Sequence, residues 1–212
     1  MNRRPEKMET YAGAYVFPGG RVEEADWSEK MLELVRGLSP DEARRILGAD
    51  SVAEFCLGYW VAAARELFEE AGILFFVGTD GAASLTAAGN PTERLTEQRR
   101  RLQRGTMNFP SLLESERLHC DVSRLTYFFH RITPDHYPVR FDTRFFLAAL
   151  PQGQSPLHAS EEVAESLWVA PKEALARFES GNFRMAPPTV MVLRTLAEHK
   201  TWQAMCISFR LT

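Results

Sequence analysis

Apolar and polar positions alternate along this chain in patterns that predict both helices and strands. The strongest is a helical run from about residue 51 or 52 to 71. On a wheel of 100° per residue it gathers Ala64, Leu67, Phe68 and Ala71 on one side. The other side carries Glu66, Glu69 and Glu70, and Gly72 supplies a left-handed stop. Short apolar runs at 14–17, 73–77, 125–132 and 140–150 read as strands, rich in aromatic and β-branched residues. Residues 27–48 read as helical and mixed in polarity. Within them Ser39, Pro40 and Glu42 form a strong start: a serine cap, proline at the first helical position and glutamate three residues after the cap. Further helices are predicted from Asn90 and Glu93 onward, from Phe109 to about His119, from Lys172 to Glu179 and from Pro188 to about Lys200. Residues 1–12 are polar and unpatterned, and 78–90 read as a loop.

Composition narrows the class. At 212 residues, 45% hydrophobic and 25% charged, the chain suits one large soluble domain or two small ones. A net charge of −3 offers no positive field to attract a phosphate backbone, so non-specific nucleic-acid binding is not expected. Cys56, Cys120 and Cys206 are few, odd in number and far apart, which points to a reducing compartment and a cytoplasmic location. No run approaches 18 apolar residues, and Met1 to Pro5 lack an apolar stretch behind them, so neither secretion nor a membrane span is expected.

The chemistry concentrates at Arg65 to Ile73. Glu66, Glu69 and Glu70 are helical neighbours, so their charges repel, and the negative end of the helix penalises them further. A divalent cation resolves both costs; an all-oxygen set suits Mg²⁺, Ca²⁺ or Mn²⁺ better than structural zinc. Arg65 precedes Glu69 in the weaker helical orientation, which points to positioning Glu69 rather than stabilising the helix. Gly19 and Gly20, after a short strand, permit close backbone approach or a plain turn. The helix from residue 93 carries Arg94, Arg99, Arg100, Arg101 and Arg104, open to a phosphate site or a solvated face. Arg144 faces either the site or an ion pair, and His130 and His136 read as surface or core histidines.

Gly20, then Asp26, and later Arg65, Glu66, Leu67, Glu69, Glu70, Gly72 and Ile73 resemble the Nudix box, G-x5-E-x7-R-E-U-x-E-E-x-G-U with U apolar. Asp26 stands in place of the usual glutamate. Residues 27–64 separate it from Arg65 where the pattern has seven, leaving about 31 inserted. That split resembles the branch typified by peroxisomal coenzyme A diphosphatases, as do looser patterns at Phe141 to Ala148, Glu165 with Trp168, and Ala186 to Thr189. In a related coenzyme A signature Gly13, Phe17 to Gly20 and Arg4 fit, but Glu9 takes the place of a second arginine. The first strand would fall at or before Met1, so either that strand is absent or the chain has been started late.

The resemblance implies an α/β fold: a Nudix α/β/α sandwich with a mixed sheet, one domain over residues 1–212. Helical insertions would occupy about 27–54 inside the box and 78–123 after it. It implies metal-dependent hydrolysis of the diphosphate bond in a nucleoside diphosphate linked to another moiety. Glu66, Glu69 and Glu70 would hold Mg²⁺ or Mn²⁺ and Arg65 would orient them. Gly19, Gly20 and Arg21 would contact substrate, and Glu162, flanked by Glu161 and Glu165, would orient the attacking water. Coenzyme A or its acyl derivatives lead as substrate. ADP-ribose or dinucleotide cleavage, a non-catalytic nucleotide-binding module, and a homodimer stay open.

Overall fold

The amphipathic run that ends at Gly72 folds as a single 19-residue helix, with short strands and helices distributed on either side of it in the chain. The structure, a computed structural model, describes residues 1–7, 10–78, 86–87, 90–91, 93–136, 139–155 and 165–209. In chain order the strands are β1 (Asn2–Arg3), β2 (Tyr15–Val16), β3 (Val35–Arg36), β4 (Phe76–Gly78), β5 (Thr86–Ala87), β6 (Asn90–Pro91), β7 (Leu118–Asp121), β8 (Thr126–Ile132), β9 (Asp142–Leu147) and β10 (Glu165–Ser166). The helices are α1 (Glu29–Leu34), α2 (Pro40–Leu47), α3 (Ala53–Ala71), α4 (Glu93–Gln103), α5 (Phe109–Ser115), α6 (Pro171–Glu179), α7 (Pro187–Ala197) and α8 (Trp202–Phe209), with a 3₁₀ turn at Glu24–Trp27.

The chain divides into two compact units. The larger comprises Gly19–Tyr127 and Phe146–Leu157. Its sheet has the order β3-β7-β4 and is mixed: β3 runs parallel to β7 and β4 antiparallel, so Val35 and Phe76 flank Cys120 from both sides. The apolar face of α3 packs Leu57, Trp60, Val61, Ala64 and Phe68 into the core with Leu112 and Leu113 of α5 and Leu118 of β7. Phe68 meets the Phe76 ring edge-on at 5.2 Å, and Phe76 leans on Phe109 at 5.6 Å. The buried Trp60 indole donates to the Leu125 carbonyl at 2.9 Å, which removes the cost of an unpaired N–H. Gly72 closes α3 at φ 68°, a conformation that costs other residues energy.

Two elements of this unit differ from the pattern-based reading. Residues 27–48 are not helical throughout: α1 ends where Val35 turns extended, and Val35 and Arg36 pair with β7. Val35 and Arg36 therefore supply an edge to the sheet. The second helix of residues 27–48, α2, starts on the expected capping box between Ser39 and Glu42. Likewise α5 stops at Ser115, and residues 118–121 form β7 with Leu118 and Cys120 buried and His119 and Asp121 half-exposed, a period of two. Ile73, Leu74 and Phe75 are buried but outside β4. There the Gln154 side chain brackets the Leu74 backbone, accepting from its N–H at 2.8 Å and donating to its carbonyl at 3.0 Å.

The smaller unit comprises Met1–Pro18, Phe128–Phe145 and His158–Thr212. Here the expectation that the first strand lies at or before Met1 is corrected. Asn2 and Arg3 form β1, antiparallel to both β10 and β2. The strand is polar in sequence because Asn2, though buried, accepts a hydrogen bond from Ser166 Oγ at 2.9 Å. Phe183, Met185, Val190 and Leu193 form its core, with Tyr15 stacked on Phe183 at 3.9 Å. The terminal helix α8 has no apolar stripe to announce it; Phe209 meets the Phe128 ring at 5.3 Å. The strands β8 and β9 form a two-stranded sheet close to their expected bounds.

Because Phe68 is fully buried and joins α3 to β4, Phe68→Ala should lower unfolding free energy by about 3–5 kcal/mol. Guanidinium denaturation with fluorescence detection measures this.

Candidate active site

Arg65 is the hub of the site. It lies on α3 with its side chain 4% exposed, so its five N–H donors must find acceptors within the protein. Its Nε and Nη2 donate to the two carboxylate oxygens of Asp26 at 2.9 and 3.0 Å, a bidentate pairing across the inserted residues. Nη2 also donates to the Arg21 carbonyl at 2.8 Å. Nη1 donates to Glu66 Oε1 at 2.7 Å and Glu69 Oε1 at 3.1 Å, with Glu23 Oε1 4.0 Å away. Burial works against this charge, but Asp26 above all, with Glu66 and Glu69, overcomes it and holds the guanidinium protonated above its ordinary range.

Asp26 is fully buried and does a second job. Its carboxylate accepts from the Glu23 N–H at 2.9 Å, forming the capping box of the 3₁₀ turn. The fragment Glu23 to Asp26 carries that signal in the sequence, since a carboxylate three residues after a cap is a capping pattern.

Gly20 lies against Glu66. A Cβ on Gly20 would stand 2.1 Å from Glu66 Oε1, so a side chain there would displace the carboxylate. Gly19 is exposed with open space around it, and Arg21 enters the network through its backbone carbonyl while its side chain is exposed. Burial pushes the Glu66 carboxyl up to about 7; Glu69 adds to this and Arg65 opposes it.

The arginines of α4 divide. Arg94 pairs with Glu116 at 2.8 Å and Arg100 with Glu97 at 3.2 Å, both on the surface. Arg99 is buried and donates to backbone carbonyls of α3. Arg101 lines a cleft of about 530 Å³ whose other walls include Glu23, Arg65, Glu69, Thr106 and Asn108. A count of basic residues could not separate these fates, because they depend on what lies beside each arginine: the end of α5 for Arg94, the end of α3 for Arg99 and the cleft for Arg101.

Glu161 and Glu162 lie outside the described residues. Glu165 is on β10 of the smaller unit, where its carboxylate accepts from Tyr15 O–H at 2.8 Å. Burial, with Glu165 beside it, pushes the Tyr15 phenol up. In that unit Arg144 forms an ion pair with Asp142 at 2.8 Å, and His130 approaches the same carboxylate at 2.5 Å.

The family model for the NUDT19 Nudix domain matches residues 1–196. The chain belongs to this Nudix family. It is 34% identical over 209 residues to a chicken (Gallus gallus) protein named acyl-coenzyme A diphosphatase NUDT19, covering 82% of this chain and 54% of that one. A Xenopus laevis protein of the same name is 27% identical over 222 residues, covering 92% and 58%. The chain thus spans about half the length of these curated relatives. The crystal structure of a NUDIX hydrolase from Alicyclobacillus acidocaldarius is similar at a TM-score of 0.75 and 25% identity, covering 98% of this chain and 86% of that one. Helices and small mixed sheets in this chain match a Nudix hydrolase fold.

Nudix hydrolases generally use divalent metals, and the donors here suit one. Glu66, Glu69 and Glu70 offer oxygen only, Gly20 leaves room beside Glu66, and the raised Glu66 carboxyl is that of a buried group short of positive charge. With Arg65 holding oxygens of Glu66 and Glu69, no group of three His, Cys, Asp or Glu side chains stands gathered for an ion among the described residues.

Asp26→Asn should destabilise the Nudix chain by about 3–5 kcal/mol, because the buried Arg65 loses its counter-charge; urea denaturation reads this directly. A second expectation concerns pH. The folded state keeps the Glu66 proton up to about pH 7, whereas the unfolded chain releases it near its ordinary carboxylate value. This group's contribution to stability is therefore complete below the unfolded value and is lost as pH rises through about 7. Metal-free protein should weaken across that window, Glu66→Gln should flatten the decline, and Mg²⁺ should raise the melting temperature more at pH 8 than at pH 5.

Proposed function

We propose that this chain hydrolyses the diphosphate bond of a nucleoside diphosphate linked to another moiety, with coenzyme A or acyl-coenzyme A as substrate and Mg²⁺ or Mn²⁺ as cofactor. The observation that carries the proposal is the network in which Arg65 joins Asp26, Glu66 and Glu69 beside Gly20. The choice of substrate is supported by the names of the chicken and Xenopus relatives and by the split box. Among the described residues no helix is long and apolar enough to cross a membrane.

Glu66, Glu69 and Glu70 would hold the cation, which supplies charge neutralisation at the diphosphate and a bound water of lowered pKa. The side chains divide the rest of the work. Arg65 fixes one oxygen each of Glu66 and Glu69, which orients the other oxygens without a search over rotamers at the moment of reaction. Gly19 and Gly20 let the substrate's phosphates approach the backbone beside Glu66. Arg101 gives the cleft that reaches Arg65 and Glu69 a positive wall for the anionic end of a substrate. Glu162 is assigned to orienting the attacking water, as the resemblance implies.

The test is incubation with Mg²⁺ or Mn²⁺ and a panel of coenzyme A, acyl-coenzyme A, ADP-ribose, NADH and dinucleotides, with products identified by mass. Release of 3′,5′-ADP with a phosphopantetheine fragment is expected. Preferential cleavage of ADP-ribose or a dinucleotide would replace the substrate, and binding without any turnover would indicate a nucleotide-binding module. Glu70→Gln should lower kcat by about 100-fold or more; undiminished hydrolysis in that variant would overturn the site.

A further inference from the structure

We propose that Arg99 is a positioning residue that sets the register of the carboxylate-bearing end of α3, and with it the cation affinity of the site. The proposal rests on the assignment of Glu66, Glu69 and Glu70 as ligands. Arg99 lies on α4, in the second insertion, and is 6% exposed. Its Nε donates to the carbonyls of Phe68 and Glu69 at 2.9 and 2.8 Å, and its Nη2 to that of Glu70 at 3.2 Å. Gln103, one turn further along α4, adds a bond from Nε2 to the Glu69 carbonyl at 2.5 Å. The last carbonyls of a helix have no partner within it and carry partial negative charge. Here they belong to Phe68 and to the two residues whose carboxylates end the box.

Termination of α3 does not require this arrangement. Gly72 already donates its N–H to the Phe68 carbonyl at 2.9 Å and turns the chain. Burying a guanidinium is costly, so a cap of this kind is an expensive way to do what glycine has done. What the guanidinium adds is direction. Its planar fork restrains three successive carbonyls at once, and a helix held there cannot rotate or fray without moving Glu69 and Glu70. Protein groups that hold ligands in place commonly change metal affinity by 10–100-fold when removed.

The experiment is titration of the folded chain with Mn²⁺, free ion being followed by electron paramagnetic resonance, for the wild type, Arg99→Gln, Arg99→Lys, Gln103→Ala and Glu70→Gln. Thermal melting is recorded for each. Arg99→Gln should weaken Mn²⁺ binding about tenfold or more, with Arg99→Lys recovering part of the loss and Gln103→Ala losing less. Charge alone predicts the opposite sign, since removing a nearby positive group strengthens cation binding. A lower melting temperature with an unchanged Mn²⁺ dissociation constant in Arg99→Gln would overturn the proposal. If that variant does not fold, unchanged affinity in both Arg99→Lys and Gln103→Ala has the same consequence. Full affinity in Glu70→Gln overturns the Glu70 ligand assignment, whereas loss there with full affinity in Arg99→Gln overturns the Arg99 proposal alone. A wild type without Mn²⁺ affinity overturns both.

Discussion

The buried pair between Arg65 and Asp26 is the constraint on which the site depends. Both charges are almost wholly buried, and the bidentate contact between them gives each its opposite charge at hydrogen-bond distance. The pair also closes a long excursion: Asp26 and Arg65 are 39 positions apart. Loop-closure entropy grows only logarithmically, by roughly 0.6 kcal/mol per doubling, so enlarging a seven-residue connection to the present one adds about 1.5 kcal/mol. Loss of one partner of a buried pair costs about 3–5 kcal/mol. That figure is the penalty for stranding a buried charge rather than the net worth of the pair; the residues between Asp26 and Arg65 are tied down by α2 packing on α3 and by β3 pairing with β7.

The same hub leaves the site short of positive charge. One guanidinium serves Asp26 fully and one oxygen each of Glu66 and Glu69. At Glu66 the burial that helps to organise the network also raises the carboxyl, because Arg65 is shared and Glu69 repels it. A positive charge placed near Glu66 would relieve this deficit, because its carboxyl is raised by burial and by the neighbouring Glu69 while Arg65 is already shared with Asp26.

Local rules made α3, its glycine stop and the Ser39 to Glu42 capping box legible, because each is decided by residues three or four apart. The pairing of Asp26 with Arg65 was not legible: the resemblance put both residues in one motif, but no local pattern links positions 39 apart. Strands β3 and β7 escaped because Val35 and Arg36 become a strand only by pairing with Cys120 and Asp121, far along the chain. Asn2 and Arg3 escaped for another reason: a polar residue in a buried strand is satisfied by a distant partner, Ser166, that periodicity does not register. Arg99 looked like one more charge on a basic helix, and only the meeting of α4 with the end of α3 distinguishes it from Arg94 and Arg100. Glu162, beyond the described residues, keeps the standing that the resemblance gave it.

The segment from Arg65 to Glu70 is held at both ends by guanidinium forks: Arg65's own, reaching back to Asp26, and that of Arg99, reaching in from α4. At 1.5 Å per residue the segment is about 7.5 Å long, short enough to behave as a rigid body. Fixed at both ends, a rigid helix cannot shift its carboxylates together to meet a ligand. Asp26 and α4 thus act on this end of α3 by fixing it, through Arg65 on one side and through the carbonyls of Phe68, Glu69 and Glu70 on the other.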